Sequence, residues 1–107
     1  MPQLVAAVAQ IGGIDLARLI GPGRTGWPVT LRAAIIIAAV DVMKKGWNEI
    51  GRALGGRNHA SIITAYRTAQ RRLVVDGEFR RLVVQVLAIA RAIVGTEPAM
   101  PRIERER

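Results

Sequence analysis

The run Ala33 to Val40 is apolar throughout and is bracketed by Arg32 and Asp41. It constrains the fold more than any other stretch of the chain. Leu31, Ala34, Ile35, Ala38 and Val42 follow a helical period, and Ile36, Ile37 and Ala39 fill the remaining faces. A helix that is apolar nearly all round has to be surrounded by other helices. The run is well short of the roughly 18–20 residues that a membrane span requires. The expectation is therefore a central helix over residues 29 to 44. Pro28 stands where a helix can begin, and Lys44, Lys45 and Gly46 supply the cations and glycine that helix C-termini favour.

The flanking segments supply the surrounding helices. Gln3 to Gln10 reads as a short helix closed by Gly12 and Gly13, and Ile14 to Ile20 as a second, with Asp15 near its positive end. GPGRTGWP, residues 21 to 28, is a turn-rich loop. After the central helix come Trp47 to Leu54, a Gly55-Gly56-Arg57 turn, and a helix opening at Asn58, a good N-cap residue. Ile62, Ile63, Tyr66, Ala69 and Leu73 make its buried stripe. Residues 74 to 77, VVDG, break it. A last helix from about Glu78 to Val94 buries Phe79, Leu82, Val83, Val86, Leu87 and Ile89. The spacing predicts an all-α domain over residues 1–94 and a charged, disordered tail over 95–107, where prolines and mixed charge oppose packing. At 107 residues the chain makes one domain, and its 4% aromatic content leaves the core to Ala, Val, Ile and Leu.

Sixteen Lys and Arg stand against eight Asp and Glu, a net charge of +8. An excess of this size implies a polyanionic partner, nucleic acid or an anionic surface. The chain contains no cysteine, which excludes disulfides, thiolate zinc sites and cysteine nucleophiles. His59 is the only histidine, so neither a metal set nor a Ser-His-acid arrangement is expected. Asp41, Glu49, Asp76 and Glu78 show no paired-carboxylate spacing. The reading is of a protein that is not an enzyme, with no cofactor and no small-molecule substrate. MPQLVAAVAQ lacks the basic start of a signal peptide, which places the expected location in the cytoplasm, on the nucleoid.

Two helices joined by a glycine turn, the second with small and polar residues on its first turn, describe a helix-turn-helix. The second helix of such a motif enters the DNA major groove and presents its N-terminal residues to base edges. Bulky residues there would hold the helix away, so Ala60 and Ser61 suit the position. Arg57, just before the helix, is placed to reach a guanine or a phosphate.

The stretch EIGRALGGRNHASIITAY, Glu49 to Tyr66, resembles the signature IG-x-x-FGGRDH-T-T-V-x-H-A of the C-terminal DNA-binding domain of the bacterial replication initiator DnaA. Ile50, Gly51, Gly55, Gly56, Arg57, His59 and Ala65 match in kind, and the order of flanking helices agrees over roughly residues 3 to 92. The resemblance implies a six-helix domain, of Trp repressor and DnaA C-terminal type, that reads an AT-containing box in duplex DNA. It implies base reading by Arg57, Asn58, His59, Ala60 and Ser61, and a minor-groove arginine that falls on Arg32. Arg24, Thr30, Lys45, Thr64 and Arg67 are expected near the backbone. Three departures, Asn58 for Asp, Ala60 for Thr and Ser61 for Thr, leave the target sequence open. The family's initiators carry an ATPase module before this domain, whereas the sequence contains no G-x-x-x-x-G-K-[ST] phosphate loop. The expected role is that of a stand-alone regulator of replication or transcription, encoded by phage, plasmid or chromosome and acting by occupancy or competition. The alternatives are an adaptor that binds replication or transcription proteins through the same fold, and a DNA-packaging recognition subunit.

Overall fold

The structure is a computed structural model that describes residues 1–96. They form α1 (Pro2–Gly12), α2 (Leu16–Ile20), α3 (Trp27–Asp41), α4 (Trp47–Ala53), α5 (His59–Val75) and α6 (Gly77–Thr96), with no strand among them. The expected tail lies outside the described residues apart from Gly95 and Thr96, which continue α6.

α3 is the central element, packed against α1, α2, α5 and α6. Leu31 and every residue from Ala34 to Ala39 are buried. Each fully buried Leu or Ile contributes about 1.5–3 kcal/mol of hydrophobic stabilisation, and Ile35 and Ile37 of the run share the core with Leu4, Leu19, Ile50, Leu54, Ile62 and Phe79 from the other helices. α3 ends at Asp41, earlier than the lysines suggested. The amides of Met43 and Lys45 fold back on the carbonyls of Ala38 and Ala39, and Lys44 takes a left-handed φ of 58°. The chain thus turns within the segment that composition assigned to the helix.

Two polar ties set the start and end of α3 against its neighbours. Trp27 Nε1 donates to the Gly12 carbonyl at 2.7 Å, anchoring α3 to the end of α1. The Tyr66 hydroxyl donates to Asp41 Oδ1 at 2.7 Å, and this hydrogen bond chiefly pushes the phenol pKa up to about 12. Trp47 packs edge-on against the same tyrosine, with ring centroids 5.5 Å apart. α5 and α6 meet at Asp76, whose Oδ1 accepts from the Phe79 amide and whose Oδ2 accepts from Arg72 Nε.

Candidate nucleic-acid interface

The turn between α4 and α5 is built on one carbonyl. Gly51 O accepts from the amides of Leu54, Gly56 and Arg57 at 3.2, 3.0 and 2.9 Å. The backbone passes so close there that a Cβ on Gly51 would lie 2.0 Å from the Arg57 carbonyl oxygen. Gly55 has a φ of +88°, and a Cβ on it would lie 2.1 Å from the Ile20 carbonyl oxygen. The two positions therefore require glycine for space, and Gly55 for conformation as well.

Asn58 then opens α5 with extended backbone, its Oδ1 accepting from the Ser61 amide at 2.9 Å. This is the expected N-cap, and it leaves the two side-chain amide hydrogens as donors. His59, Ala60, Ser61 and Thr64 are exposed, because Ile62 and Ala69 take the buried face of α5.

Beside this surface lies an open trough of about 1060 Å³, bounded by residues 20–24, the turn, one face of α5 and, at its floor, Val29, Ala33 and Ile36 of α3. Arg24, Arg32, Arg57 and Arg72 line it, and none of its lining residues is Asp or Glu. Four arginines along one depression with no carboxylate in its lining give it a positive potential.

The arginines are not equivalent. Arg24 is exposed on the loop. Arg32 is only 6% exposed, the sole buried charged residue among the described ones. Its guanidinium donates to the Leu19 carbonyl at 2.8 Å and to the Gly23 carbonyl. Burial, and then the charge of Arg57, lowers its pKa. Arg57 is half-buried and donates to the carbonyls of Ile20 (3.2 Å), Gly21 and Leu54. Arg72 is held by Asp76, by Thr30 Oγ1 at 3.0 Å, and over the Phe79 ring.

The structure therefore gathers Arg24, Arg32, Arg57, Asn58, Ala60, Ser61 and Thr64 at one trough, with His59 exposed on the first turn of α5 beside it. Thr30 faces Arg72 on the far side, Lys45 pairs with Glu49 at 3.6 Å, and Arg67 is exposed outside the trough. As folded, Arg32 and Arg57 have their guanidinium groups engaged with backbone rather than presented outward. A residue this deeply buried does not extend into a neighbouring groove without breaking those bonds. Thr68 and Arg72 line the trough without having been expected there. The i, i+4 succession Thr64, Thr68, Arg72 was the available signal.

Residues 1–69 match the sequence family described as the bacterial DnaA protein helix-turn-helix. The chain is 33% identical over 88 residues to the chromosomal replication initiator protein DnaA of Thermomicrobium roseum. That similarity covers 81% of the chain and 19% of the relative, so the chain spans about a fifth of the relative's length. No solved structure matches the chain significantly.

Proposed function

Because the chain belongs to the bacterial DnaA helix-turn-helix family, a DNA-binding rather than a catalytic family, we propose that it binds double-stranded DNA sequence-specifically through the first turns of α5. In this reading Asn58, His59, Ala60 and Ser61 meet base edges in the major groove. Thr64 lies against the backbone, and Arg24 reaches DNA from the loop on the opposite rim of the trough. The Ala60 methyl suits a thymine methyl, and the Asn58 amide hydrogens suit purine acceptors. By occupying its sites or competing for them, the protein regulates replication initiation or transcription.

The observation that carries this reading is the acid-free, arginine-lined trough running beside the exposed start of α5. Charge supplies affinity without sequence, and the small polar residues of the helix supply the choice. No described helix is long and apolar enough to cross a membrane.

Selection of bound duplexes from a random pool, followed by titration of a selected site against salt, tests the proposal. If about five phosphates are neutralised, log K falls against log salt with a slope of roughly −4 to −5. A single enriched motif together with that slope is the expected result. A flat salt response with no enriched motif would overturn DNA binding and favour the reading as a protein-binding adaptor.

A further inference from the structure

Two arginines far apart in sequence converge on the end of α2. Arg32, from α3, donates to the carbonyls of Leu19 and Gly23. Arg57, from the turn of the helix-turn-helix, donates to those of Ile20, Gly21 and Leu54. Leu19 and Ile20 close a helix of only five residues, whose last carbonyls have no intrahelical partner. Gly21 and Gly23 belong to the loop that carries Arg24. Neither arginine has a carboxylate within ion-pair distance among the described residues, so like charges sit close together, held by carbonyl dipoles alone.

An arrangement of this kind does more than neutralise a helix end. A planar fork with several N–H donors fixes direction as well as position, which a lysine's single ammonium does not. Arg32 ties the loop to the core, and Arg57 ties the same loop to the turn that launches α5. The loop and the reading helix are thereby referenced to each other across the trough. Gly55 packs against the same place, its Cβ position meeting the Ile20 carbonyl, so the approach of loop and turn is close and has a single geometry.

We propose that Arg32 and Arg57 are positioning residues that clasp the α2 C-terminus and hold the 21–24 loop in register with α5, so that Arg24 and the reading helix engage one DNA site together. The proposal rests on the DNA-binding reading for its consequence, but the clasp itself is a property of the free protein.

Arg57→Lys keeps the charge and the half-exposed stem while removing the fork, and Arg32→Lys repeats the change from the buried side. In the free protein, the amides of Leu19 and Gly21 donate to the carbonyls of Asp15 and Arg18, and their hydrogen exchange is expected to rise at least about fivefold in Arg57→Lys, with the exchange of α6 unchanged. On a selected duplex, Arg24→Ala should weaken wild-type binding by about tenfold or more. In the Arg57→Lys background the same substitution should cost no more than about twofold, because an unheld loop no longer delivers Arg24. A simple phosphate contact at Arg57 would behave otherwise, since lysine would preserve affinity and salt slope. Unchanged exchange at Leu19 and Gly21 in Arg57→Lys overturns the clasp. An Arg24→Ala cost equal in both backgrounds overturns the positioning role even where exchange rises. Wild-type binding to duplex, measured first, reads the parent proposal separately.

Discussion

At Asn58 the carbonyl half of the side-chain amide caps α5 through the Ser61 amide at 2.9 Å, while the NH2 half stays available. The two halves can be separated by substitution. Asn58→Asp keeps an excellent cap but removes the donors and adds a negative charge beside the trough. Its denaturation midpoint should match wild type, whereas pool selection should return a changed motif and weaker binding. Asn58→Ala loses the cap and should cost about 0.5–2 kcal/mol of stability in chemical denaturation. Equal stability losses for the two variants would show that the cap does not stabilise α5. Arg32 shows the same division of roles within one residue type: its guanidinium is charged like that of Arg24, yet its contacts are those of a buried structural group.

The helix-turn-helix depends on glycines of different kinds. Gly51→Ala places a methyl 2.0 Å from a backbone oxygen, which cannot yield as a flexible side chain would. At least the 1–3 kcal/mol of overpacking is expected, with loss of DNA binding as α4 and α5 move apart. Gly56 has a φ of +82° but open space around its Cβ position. Gly56→Ala therefore carries only conformational strain of about 1–3 kcal/mol and keeps the geometry of the turn. Urea denaturation and the selected motif distinguish the two, and a Gly51→Ala protein that still returned the wild-type motif would refute the packing account. The α5–α6 joint has an electrostatic element. The Phe79 amide, and then Arg72, hold the Asp76 carboxyl below its ordinary value of 3.8. A depressed carboxylate stabilises the fold above that value, and the contribution is lost as pH falls through the lowered pKa. The difference in thermal midpoint between wild type and Asp76→Asn should accordingly be constant near neutrality and shrink as pH drops below about 4. A difference independent of pH would mean that the fold does not favour the ionised form of Asp76.

Across the whole molecule the +8 charge is not all committed to one face. Arg80 donates to the carbonyls of Leu73 and Val74 at 2.7 and 3.0 Å, closing α5, and neither Arg80 nor Arg81 lines the trough. His59 is exposed at the start of α5, where the proposed function has it meet a base edge. His59→Ala should cost about 1–3 kcal/mol at one base pair and relax the selected motif there. Arg80→Ala with Arg81→Ala should weaken all duplexes alike or leave binding unchanged, with circular dichroism confirming that both proteins remain helical. If the Arg80 and Arg81 variant changes the motif and the His59 variant does not, α6 rather than α5 reads DNA.

The sequence by itself determined the local features: an all-round apolar helix at the centre, a glycine turn, an asparagine that caps the helix after it, and small polar residues on that helix's first turn. Each depends on neighbours within a turn or two, so helical spacing and propensity are enough to read it. Part of the family signature was legible for the same reason, because Gly51 answers to the Arg57 carbonyl inside the turn, whereas the close contact of Gly55 is with Ile20, far off in the chain. The direction of the long side chains was decided only by the tertiary structure. Arg32 and Arg57 were expected at DNA, yet their guanidinium groups meet carbonyls 13 and 36 residues away in the chain, at Leu19 and Gly21. Thr30 likewise turned to Arg72, 42 residues on. A flexible cationic side chain goes to whichever acceptors the fold brings within reach, and the unpartnered carbonyls at the end of α2 come within reach only once the helices have packed.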